Sequence, residues 1–270
     1  MTTGSTFGPN DNSTPGGGLH IVGVGASAGG LEALESLFRA VPADTGMAFV
    51  VIQHLSPDFK SHMEELLARQ TTIPVHRVED GMEVEPNSIY LIPAKKEMVI
   101  SDGRLLLTER STDRSLSHPI DQFFRSLASD CGRFAIGVVL SGTGSDGARG
   151  VQEIHDAGGL VIAQDDATAM FDGMPMSAIA TGKVDVVLPP PAIAEALVRH
   201  AKDGVSREKL AEEDLAFGNM AGTDQIFHLL NRKYGLDFSQ YKPSTVGRRI
   251  SRRIGLLGLE SVEAYVIHLV

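Results

Sequence analysis

Three apolar, largely β-branched runs, each closed by a turn of small or polar residues, constrain this chain most. They are Ile21-Val22-Gly23-Val24, Met47-Ala48-Phe49-Val50-Val51-Ile52 and Phe134-Ala135-Ile136-Gly137-Val138-Val139-Leu140. The turns behind them read Gly25-Ala26-Ser27-Ala28-Gly29-Gly30, Gln53-His54 and Ser141-Gly142-Thr143-Gly144-Ser145-Asp146-Gly147. Continuous apolar runs of this length are buried strands, and such strands alternating with helical segments give βαβ units and a mostly parallel sheet. In an open parallel sheet the carboxyl ends of the strands share one rim, where ligands bind. Ser27, His54 and Asp146 are therefore expected together on that rim. A hydroxyl, an imidazole and a carboxylate are the parts of an activated oxygen nucleophile.

The expected fold is α/β: a doubly wound, mostly parallel sheet with one β-hairpin, followed by a small all-α segment. Helical periodicity marks Gly30–Ala40, Ser61–Arg69, Pro119–Ala128 and Asp146–Ala157. Met98–Leu107 reads as a hairpin turning at Asp102-Gly103. Leu160–Ala163 and Val184–Leu188 add two strands, and Pro189-Pro190-Pro191 opens a helix. Residues 1–18, rich in Gly, Ser, Thr, Asn and Pro, are expected to form a flexible tail, and 19–203 a catalytic domain. A charged linker at 204–221 then leads to an all-helical unit at 222–270. The chain stops inside a helical pattern, as a piece of a longer protein would.

A net charge of −10 disfavours a nucleic-acid or anionic-membrane binder, both of which need a cationic footprint. The lone cysteine, Cys131, gives no disulfide framework and suits a reducing compartment, so a cytoplasmic location is expected. No run approaches the ~18 apolar residues of a membrane span. No phosphate-binding Gly-x-x-x-x-Gly-Lys loop occurs, and no histidine has a partner at metal-site spacing, so neither metal nor cofactor is expected.

Each candidate has a plainer reading. Gly23-Val24-Gly25-Ala26-Ser27-Ala28 also fits a dinucleotide-binding turn, but the next strand ends in Gln53-His54 rather than in the acid that reading needs. His54 is one of nine histidines, set apart by following six apolar residues. His62, His76 and His155 are assigned to surface or helix faces, and His118, before Pro119, is a weaker cleft candidate. Asp146 fits a helix N-cap as well as an orienting carboxylate, and Asp165 and Asp166 are alternatives for the second role. The chain order Ser, His, Asp and the residue Ala28 depart from the α/β-hydrolase elbow.

Residues 20 to about 200 resemble the catalytic domain of the CheB family of chemotaxis protein-glutamate methylesterases. The matching pieces are Ile21–Gly30, Gln53-His54-Leu55-Ser56-Pro57, Ile89-Tyr90-Leu91-Ile92-Pro93-Ala94, Leu140–Gly147 and Phe171-Asp172-Gly173-Met174-Pro175. The resemblance implies Ser27 as nucleophile, His54 as general base and acid, and Asp146 as orienting carboxylate. Ala28, Gly29, Thr143 and Gly144 are the expected oxyanion and substrate contacts. Thr143 stands where many members carry methionine. Many members have a receiver domain upstream, in whose place this chain has residues 1–18. The implied substrates are methylated glutamates, and in some members glutamines, on chemoreceptor helices.

Tyr234–Thr245 and Arg248–Ile254 resemble the helical N-terminal domain of the CheR family of methyltransferases, which implies a fused methyltransferase as a further partner. Arg248, Arg249, Arg252 and Arg253 are either a solvated helix face or a grip on acidic receptor helices or the fused domain. A non-catalytic docking or regulatory module is the alternative to hydrolysis.

Overall fold

The computed structural model describes residues 18–53, 63–109, 118–202, 226–227, 229, 232 and 243–269. Ten strands lie among them. The central one is β1 (Ile21–Ala26), and the first two to follow are β2 (Ala48–Gln53) and β3 (Val75–Arg77). Next come β4 (Met82–Glu83), β5 (Ser88–Leu91), β6 (Lys96–Ser101) and β7 (Arg104–Glu109), then β8 (Ala135–Val139), β9 (Leu160–Gln164) and β10 (Val186–Leu188). The helices of the sheet domain are α1 (Gly30–Ala40), α2 (Met63–Ala68), α3 (Pro119–Cys131), α4 (Ala148–Asp156), α5 (Gly173–Ala180) and α6 (Pro190–Lys202). Beyond them lie α7 (Pro243–Leu257) and α8 (Val262–Leu269).

Seven strands form one parallel sheet in the order β10-β9-β8-β1-β2-β5-β3. The chain winds outward from β1 through β2, then returns through β8 to wind the other way. The direction of winding reverses between β1 and β8, which is the switch point of a doubly wound sheet. The hairpin β6–β7 turns at Asp102 and Gly103, both with positive φ, as a two-residue hairpin loop requires. It does not join the main sheet but makes a separate antiparallel one, ordered β4-β7-β6.

One face of the main sheet is covered by α1, α2 and α6, which contribute Leu34, Leu37, Phe38, Leu67, Ile193 and Leu197 to one core. The other face is covered by α3, α4, α5 and the small sheet, through residues such as Ile120, Phe124, Ile154, Met174 and Met98. Helix α3 sits unusually deep. A β-carbon on Gly25 would lie 2.6 Å from Ile120 Cγ2, and one on Gly23 would lie 2.9 Å from Phe124 Cε1. On α4, a β-carbon at Gly150 would meet Phe124 Cβ at 2.5 Å. The glycine spacing of β1 therefore serves helix packing, which accounts for the pattern without a dinucleotide. Phe124 is fully buried in this seat, a burial that contributes about 1.5–3 kcal/mol.

Helix α7 docks on the sheet domain. Leu256 joins the core of the α1–α6 face, and Arg199 Nη2 donates to Leu256 O at 2.6 Å. Arg252 Nη1 donates to Gly159 O at 3.0 Å and Arg253 Nη2 to Val184 O at 3.1 Å. Both carbonyls precede strands of the parallel sheet, so α7 holds the amino-end rim, opposite the rim behind β1. Arg252 and Arg253, expected on a solvated face or on a surface for receptor helices or a fused domain, each place a guanidinium nitrogen on a carbonyl of the sheet domain. Arg249 is exposed, and the side chain of Arg248 is outside the described set. Ile226, Ile250, Val262 and Tyr265 form a separate small core between the helices beyond residue 222.

The same rim holds a histidine pair, His200 buried and His20 half-buried, whose rings meet edge to face at 5.2 Å. Burial, with Arg252 next in importance, pushes the His200 imidazole down to about 3, and His20 is lowered for the same leading reason. A histidine depressed in the folded state keeps its full contribution above its unfolded value of about 6.5, and that contribution is lost as pH falls below it. Stability should therefore fall between pH 6.5 and 5. Denaturant titrations of His200→Gln across that range should give a slope shallower by up to about 1.4 kcal/mol per pH unit.

Candidate active site

Ser27 follows β1 at the switch point. Its N–H donates to Ser141 O at 3.0 Å, and its carbonyl accepts from Gly30 N at 2.9 Å, closing the strand-to-helix turn. Gly29 caps α1 with φ 67°, a left-handed conformation that favours glycine. The loop behind β8 runs past the serine: a β-carbon on Gly142 would lie 2.9 Å from Ser27 Cβ and 2.2 Å from Met174 Sδ. Gly142 is a steric requirement of the loop passing between the side chains of Ser27 and Met174.

Ser141 ties the layers together. Fully buried, its hydroxyl donates to Ala28 O at 2.9 Å and accepts from Phe171 N at 3.0 Å. Its own N–H donates to Gln164 Oε1 at 2.8 Å. Gly142 N donates to Phe171 O at 2.9 Å, and Met174 N donates to Gly142 O at 2.8 Å. The Ser27 turn, the loop after β8 and the Met170–Met174 segment are therefore one hydrogen-bonded unit. Met170, Phe171 and Met176 project from it with 64%, 41% and 48% exposure, an apolar lip beside the serine. Thr143 and Gly144 are exposed on the same loop, and Gly144 O accepts from Ser177 Oγ at 3.2 Å.

Asp146 is 4% exposed, and both of its carboxylate oxygens accept backbone N–H groups. Oδ2 accepts from Ile120 N at 3.1 Å and Oδ1 from Asp121 N at 3.0 Å. Capping is thus part of its role, but on α3, across the fold, and not on the helix that follows it. The start of α4 is served from the other side: Asp121 Oδ1 accepts from Arg149 N at 2.9 Å and Gly150 N at 2.8 Å. Two helix N-termini are capped reciprocally, each by a carboxylate of the other helical segment. Helix α4 accordingly begins at Ala148, two residues later than its periodicity suggests, and Ser145 contributes only its carbonyl, to Ala148 N.

His118 Nδ1 lies 4.0 Å from Asp146 Oδ1. His118, Asp121 and Asp146 offer atoms within 4.8 Å of one another, a proximity that sequence spacing did not reveal. The carboxylate oxygens named above already accept N–H groups, so the cluster is explained by capping. Burial, above all else, raises the Asp121 carboxyl above its usual range. Asp165 accepts the N–H and hydroxyl of Thr168, and Asp166 is exposed just past the end of β9. His155 pairs with Asp156 at 3.0 Å and His76 stacks on Tyr90. Burial pushes the Cys131 thiol up to about 12, in keeping with an inert side chain. His54 and His62 lie outside the described residues.

Sequence reasoning singled out neither Asp121 nor Ser141. Asp121 looks like an ordinary acidic residue in a first helical turn, and nothing local says that it reaches a second helix.

The parallel doubly wound sheet places Ser27 just past the carboxyl end of β1, at the switch point where such sheets bind ligands. Residues 22–197 match the CheB methylesterase family, and the chain belongs to it. Residues 221–270 match the all-alpha domain of CheR methyltransferases. A structure of the Thermotoga maritima CheB methylesterase catalytic domain superposes with a TM-score of 0.62 at 31% identity, covering 67% of this chain and 98% of that one. A Rhodobacter capsulatus protein of 104.1 kDa, uncharacterized, is 41% identical over 76% of this chain and 23% of its own length. A protein-glutamate methylesterase/protein-glutamine glutaminase of Photorhabdus laumondii is 36% identical over 62% of this chain and 49% of its own. The chain thus spans about half or less of the length of these curated relatives. Among the described residues no helix is long and apolar enough to cross a membrane.

Ser141→Ala leaves Ala28 O and Phe171 N without a buried partner and should cost about 1–3 kcal/mol. Thermal melting checks this, with about 2–4 °C expected per kcal/mol for a domain of this size.

Proposed function

We propose that this chain is a serine hydrolase that demethylates glutamyl methyl esters, and deamidates glutamines, on chemoreceptor-type signalling proteins. The observation that carries the reading is Ser27 at the β1–β8 switch point of a CheB-family domain, its turn fixed by Ser141. In this reading Ser27 Oγ attacks the side-chain carbonyl while His54 takes its proton. Methanol, or ammonia from glutamine, leaves with that proton. Water then attacks the acyl-enzyme by the same route, regenerating the hydroxyl and releasing glutamate. Asp146 orients the imidazole and stabilises its cationic form.

The N–H groups of Ser27 and Gly142 are engaged with Ser141 O and Phe171 O. The oxyanion donors are therefore assigned to Ala28 and Gly29 at the positive end of α1, with Thr143 and Gly144 flanking the substrate. Met170, Phe171 and Met176 would receive apolar side chains next to the reacting glutamate. The match of residues 221–270 supports a protein in which esterase and methyltransferase modules are joined, acting on the same substrate in opposite directions. No cofactor has a step in the esterase reaction.

Methanol release from methylated receptor checks the assignment. Ser27→Ala should fold normally and lose activity by about three orders of magnitude or more. Normal turnover by a folded Ser27→Ala protein would refute it. Receptor binding with no turnover by the unmodified chain would favour a docking module instead.

A further inference from the structure

Helix α7 meets the amino-end rim beside a cluster of titratable groups that the esterase reaction does not use. His20 directly precedes β1, His200 lies in the last turn of α6, and Arg252 reaches in from α7. His200 is buried, and its Nε2 has no hydrogen-bond partner. The His20 ring stands edge to face on both the His200 ring and Phe134. Arg133, in the turn before β8, lies over the Phe134 ring at 4.8 Å. Arg252 Nη1 sits 4.0 Å from Asp185 Oδ2, an oxygen that also accepts from Val161 N at 2.8 Å. On α6 itself, the neighbouring Arg199 turns to Leu256 O and Glu195. The charged groups around the two rings are therefore Arg252, Arg133 and Arg199, with Asp185 beside Arg252. Among the described residues no carboxylate forms an ion pair with either imidazole.

A proton added to His200 would make it a buried cation without an acceptor at Nε2, close to a guanidinium of like charge. Burial is the larger penalty and Arg252 the next. Departure of α7 takes Arg252 away and lets water reach the ring. We propose that α7 is held by a proton-sensitive latch: it leaves the amino-end rim when His200 takes up a proton, while the sheet stays folded. At neutral pH the latch is shut by the bonds of Arg199, Arg252 and Arg253 to carbonyls and by buried Leu256. Docked, the His200 imidazole is held far below its ordinary value of about 6.5; released, it returns to that value. The contribution to docking is complete above pH 6.5 and is lost as pH falls below it. For this one histidine, docking weakens about tenfold by pH 5.5.

Cysteine labelling reads the latch in the whole chain. Two single-cysteine proteins carry Cys131→Ala. Leu256→Cys puts a thiol in the contact between α7 and the sheet domain, and Val138→Cys puts one in the sheet, both at buried positions. Labelling rates are divided by that of a free thiol peptide at the same pH, which removes the effect of thiolate fraction.

Position 256 should label about tenfold faster than position 138, or more, at every pH, because α7 opens without the sheet. Its corrected rate should rise about tenfold from pH 7.5 to 5.5. His200→Gln and His200→Leu cannot titrate, and a cooperatively melting variant should reduce that rise to about threefold or less. Should neither melt cooperatively, NMR titration of the histidine rings decides, and His200 should gain its proton over the pH range in which position 256 opens. Equal corrected rates at the two positions would overturn the proposal, since α7 would then leave only on global unfolding. A rate at position 256 that ignores pH, a full rise that persists in a folded His200 variant, or separate pH ranges for protonation and opening would overturn it as well.

Discussion

The backbone junction of β1 with β8 is the constraint on which the rest of this structure depends. Leu140 N donates to Gly25 O and Ser27 N donates to Ser141 O, extending the parallel ladder one step past each strand. That extra step carries the pairing to the point where the chain's winding reverses. A crevice opens there because the connections leave in opposite directions. The Ser27 turn and the loop that ends in Asp146 meet there as a result of strand order, not of local sequence.

Depth of packing then decides which charges reach the crevice. The glycines of β1 and α4 let α3 sink until its first turn meets the carboxylate of Asp146. A bulkier β1 would push α3 outward and leave Asp146 buried without its donors, a cost of one to a few kcal/mol for each unpaired group. The same close approach lets Asp121 answer at the start of α4. Packing and electrostatics are one arrangement here: small residues set the distance, and helix dipoles make the buried carboxylates tolerable.

The parts of the fold visible in the sequence were those with short-range signatures. The runs behind β1, β2 and β8 were long and β-branched, and Asp102-Gly103 announced the β6–β7 turn. Strands β3 and β5 were not read as strands, because they are short and flanked by prolines, and their pairing joins distant segments. Helix α5 was missed because Gly173 and Pro175 stand in its first turn and its faces differ little in polarity. At the site, the Ser27 turn and Asp146 were legible, each following an apolar run. Ser141 and Asp121 were not, since a serine after a strand and an aspartate in a first turn are ordinary until a second backbone comes within reach. Arg252 and Arg253 looked like a solvated or receptor-facing stripe, and only the docking of α7 shows the carbonyls they meet.

Among the described residues that docking lies at the amino-end rim, on the side of the sheet away from the proposed chemistry. The central claim is that a hydroxyl, an imidazole and a carboxylate from three segments act as one device at the β1–β8 crevice. A crystal structure of the chain bearing a phosphonate adduct on Ser27 tests this most directly. The account predicts the His54 ring between adduct and carboxylate, with one nitrogen about 2.6–3.2 Å from the adduct oxygen and the other facing Asp146. An imidazole turned away from Ser27, with another group in its place, would contradict it.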